Sequence, residues 1–218
     1  MRRPLDFGLV LVTDRTLCSG RPLEDVVQAA VRGGVSAVQL REKNRPTDEF
    51  LTLAREMKSI LVRRGVPLII NDRVDVALAS GADGVHLGQR DLPVREARRL
   101  LGVEAAIGLS VETLAQALDV DSLDIDYLGV SPIFSTPTKP DAGAPWGLEG
   151  LRSLRARTRR VLVAIGGIDA SNAESVLAAG ADGLAVVSAI CASADPEAAA
   201  RHLRNVVDRF RMGRGTRP

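Results

Sequence analysis

Aromatic residues are scarce, at 3% of the 218-residue chain. Hydrophobic residues still reach 45%, so the core has to be aliphatic, built from Val, Ile, Leu and Ala, as parallel sheets covered by helices are. An excess of either charge is also missing. The formal net charge of +2 gives no nucleic-acid or acidic-partner signal. No apolar run reaches the ~18 residues of a membrane span, and the opening Met1-Arg2-Arg3-Pro4 lacks the apolar region of an export signal. The expectation is a cytoplasmic protein with neither a membrane nor a nucleic acid as partner. A homo-oligomer stays open.

Cysteine occurs twice, at Cys18 and Cys191, in no metal or redox spacing, and two free thiols in a reducing cytosol are expected. Histidine also occurs twice. His86 falls inside a strand and reads as a packing residue rather than a catalyst, while His202 lies on the last helix and reads as solvated. With no Ser-His or Cys-His pair, hydrolysis through an activated nucleophile is disfavoured. Lysine occurs only at Lys43, Lys58 and Lys139, in a chain rich in arginine. Lys58 sits mid-helix on a polar face and reads as solvated. The other two deserve inspection, because Lys and Arg are not interchangeable at a site.

What the chain does contain is an alternation. Apolar runs that read as buried strands cover 8–13, 36–40, 67–71, 85–87, 105–109, 127–130, 161–165 and 184–187. Helical patterns separate them. The clearest is 46–64, with Phe50, Leu53, Ala54, Met57, Ile60 and Leu61 at helical spacing. Asp169 reads as the N-cap of a helix to 179. The last helix is expected from about 195 to 210, with 212–218 as a frayed basic tail. Strands joined by crossover helices must be parallel, and eight such units close into an α/β fold, the (β/α)8 TIM barrel. No linker or composition shift divides residues 1–218, so a single domain is expected. Gly81-Ala82-Asp83-Gly84 is echoed by Gly180-Ala181-Asp182-Gly183. Both lie at strand starts, the stability face of a barrel, so Asp83 and Asp182 read as structural.

Chemistry is expected at the opposite ends of the strands. Asn71 and Asp72 follow the third strand, and Gln89 and Asp91 lie just past the fourth. Arg41, Lys43 and Lys139 reach the same face from other units. Cations opposite a carboxylate pair point to Mg2+ and a diphosphate, because Mg2+ takes few protein ligands and completes its octahedron with substrate oxygens. Surface salt bridges would explain the charges but not their collection at the strand ends. The loops after strands seven and eight carry Ile165-Gly166-Gly167-Ile168 and Val187-Ser188, where glycines let backbone N–H groups approach a phosphate. The loop 131–145 is long enough to be functional and is expected to act as a lid.

The stretches Gln39-Leu40-Arg41-Glu42-Lys43, Asn71-Asp72, His86-Leu87-Gly88-Gln89-Arg90-Asp91, Gly108-Leu109-Ser110, Pro132 to Lys139, Gly166-Gly167-Ile168 and Val187-Ser188 together resemble the thiamine phosphate synthase family over nearly the whole chain. The resemblance implies a transferase that joins hydroxymethylpyrimidine diphosphate to a thiazole phosphate, giving thiamine phosphate and pyrophosphate. It implies that Gln39, Leu40, Arg41, Glu42, Lys43, Asn71, Ser110 and Lys139 hold the pyrimidine diphosphate. Arg41, Lys43 and Lys139 would act on the leaving group, and Asp72 and Asp91 would hold Mg2+. It implies that Thr136, Pro137, Thr138, Gly167, Val187 and Ser188 hold the thiazole phosphate. The family's dissociative mechanism needs no protein nucleophile. Ser131 and Ser135 depart from the Gly and Pro usual in the family, and neither is an expected ligand.

Three other readings compete with this one. A related thiazole tautomerase relies on a His in the loop after strand six, where this chain has Pro132. A non-catalytic phosphate-ligand sensor would have no need of the Asp72, Asp91 and Lys139 set. Other phosphate-binding barrel enzymes use a carboxylate/Lys acid–base pair, and none stands out here.

Overall fold

The eight apolar runs form eight parallel strands that pair in chain order and close, β8 against β1. The strands are β1 (Leu9–Val12), β2 (Ala37–Leu40), β3 (Leu68–Asn71), β4 (Gly84–Leu87), β5 (Ala106–Val111), β6 (Tyr127–Val130), β7 (Leu162–Ile165) and β8 (Gly183–Val186). The crossovers carry α1 (Leu23–Arg32), α2 (Thr47–Val62), α3 (Val74–Ser80), α4 (Val94–Leu101), α5 (Leu114–Leu118), α6 (Gly147–Arg155) and α7 (Ala173–Ala178). This computed structural model describes residues 5–120, 122–136 and 143–215, with side chains through residue 213.

Three elements depart from expectation. A short helix α8 (Ser188–Cys191) follows β8 before the long α9 (Pro196–Gly215). Helix α9 continues through Gly215 rather than ending near 210, so 212–215 are helical where a frayed tail was expected. Asp169 does not cap α7, whose N-cap is Asn172. Its carboxylate instead accepts from Ser171 N and Oγ at 2.8 and 2.6 Å.

Side chains alternate across each strand. Leu9 and Leu11 face the helices, in the large core between sheet and helix ring, while Val10 and Val12 face the barrel interior. The interior is filled by Val10, Val12, Ala37, Ile69, Ala106, Val163 and Ala185, with one large ring, Tyr127. Phe7 stacks beneath it with ring centroids 4.3 Å apart. Small inward residues make room for that ring. A Cβ on Gly108 would lie 2.2 Å from Tyr127 Cζ.

At the strand starts, three aspartates repeat one device. The carboxylate of Asp83 accepts from Leu68 N at 2.8 Å, that of Asp126 from Ile107 N at 2.8 Å, and that of Asp182 from Leu162 N at 2.9 Å. Each Asp N–H returns the bond to the carbonyl of the same neighbour. Ser36 does the same for Leu9 at β2. The first N–H of a barrel strand would otherwise be left without a partner. Each aspartate also meets a cation from a helix: Lys58 at 2.6 Å, Arg98 at 3.3 Å and Arg155 at 2.8 Å. Lys58 is therefore not a solvated surface lysine. It crosses from α2 to Asp83.

Candidate active site at the barrel mouth

A cavity of about 470 Å3 opens at the C-terminal ends of the strands. Gln39, Arg41, Lys43, Asn71, Asp72, Asp91 and Ser110 line one part of it. Thr136, Gly167, Val187 and Ser188 line another. Two expected contacts are placed elsewhere. Leu40 is fully buried in the core between sheet and helices, and Glu42 turns to Arg15 and Arg45, at 3.5 and 3.7 Å. Alternation explains both. In the run 39–43, Gln39, Arg41 and Lys43 face inward, so Leu40 and Glu42 face outward. Pro137, Thr138 and Lys139 lie outside the described residues, as does the middle of the expected lid.

Strand ends set the acidic pair. Asp72 sits at φ 64°, the left-handed region that Asp tolerates better than most residues. Its N–H donates to His86 O at 2.8 Å, tying the end of β3 to β4. Asp91 is held by the turn after β4, where Gly88 N donates to its Oδ2 at 2.6 Å. The Asp72 carboxyl is pushed up to about 6, first by burial and then by the hydrogen bond and charge of Asp91, against the pull of Lys43 and Arg41. A buried carboxylate whose proton affinity is raised by a second carboxylate beside it marks a place that favours a cation. Among the described residues no group of three or more His, Cys, Asp or Glu side chains gathers as a metal cage. An oxygen-only pair with room for substrate oxygens suits Mg2+ rather than Zn2+.

Opposing cations are anchored from below. Arg41 N–H donates to the buried Thr13 Oγ1 at 3.0 Å, and its guanidinium lies 3.6 Å from Asp14. The other side of the cavity is backbone-rich. Gly166 and Gly167 have φ of 106° and 64°. A Cβ on either would come within 2.8 Å of Pro132 or Phe134 in the loop after β6. Phe134 N–H donates to Gly166 O at 3.0 Å, so the two loops lie against each other. Asn172 Nδ2 donates to Gly167 O at 2.8 Å and holds the turn. Next to it Val187 caps the short α8, which begins at Ser188. Loops after β7 and β8 with a short extra helix are where barrels bind phosphate.

Sequence reasoning missed several lining residues. Arg90, Glu112 and Gln116 lie on the rim, beyond strand ends that the pattern left loosely bounded. Tyr127 and His86 line the floor, where His86 Nδ1 is 2.9 Å from Tyr127 Oη and His86 Nε2 is 2.8 Å from Ser110 Oγ. Tyr127 also hydrogen-bonds the Gln39 side chain, and full burial pushes its hydroxyl far above the usual range. Gln89, noted at the strand end, donates to Ser110 O at 2.6 Å.

A closed (β/α)8 barrel with a carboxylate pair, facing cations and a glycine-rich wall gathered at its mouth has its polar groups where barrel enzymes keep their active sites. The family model described as thiamine monophosphate synthase matches residues 9–190. The chain belongs to the thiamine monophosphate synthase family, and is an enzyme of the transferase kind. It is 60% identical over 200 residues to a thiamine-phosphate synthase of Albidiferax ferrireducens, covering 92% of this chain and 91% of the relative. It is 55% identical over 202 residues to one of Leptospira biflexa, covering 91% and 96%. Among solved structures, thiamine phosphate pyrophosphorylase from Pyrococcus furiosus superposes with a TM-score of 0.86 at 38% identity, covering 94% of this chain and 96% of that one. A 3-hexulose-6-phosphate synthase superposes with a TM-score of 0.68 at 17% identity and shares the fold alone.

Proposed function

We propose that the chain is a thiamine-phosphate synthase. It would condense 4-amino-2-methyl-5-hydroxymethylpyrimidine diphosphate with a thiazole phosphate, carboxylated or not, to thiamine phosphate and pyrophosphate, with CO2 also released where the thiazole is carboxylated. One observation carries the reading: a single cavity is lined by the charged side chains of Arg41, Lys43, Asp72 and Asp91 and, apart from them, by Gly167, Val187 and Ser188, and each group is a place for one phosphorylated end. Two phosphorylated reactants need two such places within reach of each other.

Bond breaking comes first in this reading. The diphosphate leaves from the pyrimidine methylene, and the ring amino group stabilises the cation that remains. The thiazole nitrogen then attacks that carbon, so no side chain has to act as nucleophile. Arg41 and Lys43, joined by Lys139, neutralise the departing diphosphate. Asp72 and Asp91 would hold Mg2+, which when bound adds positive charge to the leaving group. Asn71 orients the diphosphate from the end of β3. Thr136, Pro137, Thr138, Gly167, Val187 and Ser188 hold the thiazole phosphate, and loop 131–145 keeps water from the cation. Gln39 and Ser110 hold the pyrimidine. The cytoplasm is the proposed setting, in keeping with two buried free thiols and with no described helix being long and apolar enough to cross a membrane.

The deciding assay mixes the two phosphorylated substrates with enzyme and either Mg2+ or a chelator. Thiamine phosphate and pyrophosphate should form in equal amounts with Mg2+, and only traces should form with chelator. Absence of product with Mg2+ sinks the proposal. Product formed equally well with chelator removes the metal from it.

A further inference from the structure

The floor of the cavity contains a continuous chain of polar contacts whose two middle members, Tyr127 and His86, the proposed chemistry leaves without a task. Gln39 touches the Tyr127 hydroxyl, Tyr127 touches His86 Nδ1, and His86 Nε2 touches Ser110 Oγ. Gln39 and His86 are 6% and 8% exposed and Tyr127 2%, so these side chains depend mainly on one another for partners. The strands keep a lane open for them. A Cβ on Gly108 would come within 2.6 Å of His86 Nδ1, and one on Gly129 within 2.7 Å of His86 Cε1. Glycine inside a strand is unfavourable, and close approach of another group is a reason to keep it there.

Proton counting gives this chain a direction. The hydroxyl of Tyr127 has one O–H, and a neutral imidazole has one N–H. If Tyr127 donates to Nδ1, it accepts from the Gln39 amide N–H, and Nε2–H donates to Ser110. Gln39 then turns its carbonyl oxygen, and Ser110 its O–H, toward the cavity. If the imidazole proton sits on Nδ1, every link reverses. Gln39 then offers N–H and Ser110 a lone pair. In both states the polarity of the chain gives the two ends opposite hydrogen-bonding sense.

We propose that Tyr127 and His86 are positioning residues that couple Gln39 to Ser110, so that the cavity floor selects a ring bearing an amino group beside a ring nitrogen. Such an edge carries one donor and one acceptor, the complement of either state. The inference rests on the proposed function and adds how the pyrimidine ring is chosen and oriented. A site built to pair a polar edge rejects the analogue that lacks it, because its own buried groups are left unpaired.

The test compares the aminopyrimidine diphosphate with the analogue lacking the amino group, both as ligands, in the unaltered enzyme and in Tyr127→Phe. The unaltered enzyme should prefer the amino compound about tenfold or more. In Tyr127→Phe the preference should fall to about threefold or less. Inhibition by inorganic pyrophosphate should stay the same, because it engages the charged side and not the floor. A general loss of structure would weaken all three ligands together. An unchanged preference in folded Tyr127→Phe overturns the coupling. If the variant does not fold, nitrogen-15 shifts of the unaltered enzyme decide. The chain has only His86 and His202, so the signals are assignable. The aminopyrimidine diphosphate should drive the His86 ring to one tautomer, and pyrophosphate should not. No response of the His86 ring overturns the proposal. Failure of the unaltered enzyme to turn over its substrates overturns the proposed function and this inference with it. Turnover with an unchanged preference overturns the inference alone.

Discussion

The two rims of the barrel treat aspartate in opposite ways. At the strand starts, Asp83, Asp126 and Asp182 each meet a backbone N–H and a helix-borne cation, so the chain satisfies its own carboxylates. At the mouth, Asp72 and Asp91 meet each other. One of them stands on a left-handed backbone that the fold has to impose. The same residue type therefore holds the fold together at one rim, and at the other holds an unfavourable arrangement that a bound cation would relieve. The first rim should govern stability and the second activity, and each can be perturbed without the other.

The largest effect expected is on turnover. Asp72→Asn keeps a residue that tolerates the left-handed backbone but removes the charge. It should lower kcat/KM about 100-fold or more in saturating Mg2+, the scale of losing one preorganised electrostatic contact. Asp83→Ala and Lys58→Ala should leave kcat/KM within about twofold, since neither lines the cavity. Comparable losses at both rims would mean that the rims are coupled and the division is false.

Stability should respond in reverse. Asp83→Ala strips the partner from Leu68 N–H and leaves Lys58 beside it without a counter-charge. Losing a charge-assisted hydrogen bond of this kind costs about 2 kcal/mol. Denaturant unfolding should show that loss for Asp83→Ala and for Asp182→Ala, where Leu162 N–H loses its acceptor and Arg155 its counter-charge. Asp72→Asn should unfold no earlier than the unaltered protein. If Asp83→Ala is as stable as the parent, the reciprocal bonds at the strand starts are ornament.

Much of this contrast is legible in the sequence alone. Alternating aliphatic strands and crossover helices leave few topologies open, and a closed parallel barrel sends strand-end polar residues to one mouth. That logic located Asp72, Asp91, Arg41, Lys43 and the glycines at 166–167. It found Asp83 and Asp182 because their Gly-Ala-Asp-Gly runs match, and missed Asp126 because Asp124-Ile125-Asp126-Tyr127 does not. Lys58 was misread because a helical pattern distinguishes polar from apolar faces but not solvent from a partner on the next unit. Helix α8 is four residues long and leaves no periodic trace. Leu40 and Glu42 were drawn in by a contiguous motif, although strand alternation alone sends them outward. The contacts of Tyr127 depend on which inward residue meets which across the barrel, and that is set by register rather than by local pattern.

A pH effect separates the rims without any change at the strand starts. The Asp72 carboxyl is raised in the folded state to about 6, from an ordinary value of 3.8. The folded state therefore binds the proton more tightly than the unfolded state does. Its unfavourable contribution is absent below the unfolded pKa, near 4, and grows as pH rises to about 6, above which it is complete. The melting temperature of metal-free Asp72→Asn should thus gain on that of the unaltered protein between pH 4 and pH 6 and keep that lead above. Excess Mg2+ above pH 6 should shrink the lead, by stabilising only the protein that has the pair. A lead that does not vary with pH would mean that neither burial nor Asp91 raises the Asp72 carboxyl in the folded protein.

The smallest effect expected is a silence. Cys18 lies in the short 3-10 helix after β1, and Cys191 ends α8, so both are near the mouth, and their thiols contact each other. Burial, the leading cause in both, raises the Cys18 thiol and pushes the Cys191 thiol up to about 12. Thiol reagents attack through the thiolate, so neither sulfur should react in the folded enzyme at pH 8, while two should react per chain in denaturant. This sharpens the comparison at its weakest point. The mouth carries strain in its carboxylates, and that strain holds only if the packing beneath β1 and α8 is firm. Fast labelling of the folded enzyme would mean that α8 swings open, and the anion cradle at Val187 and Ser188 would then be assembled by substrate rather than waiting for it.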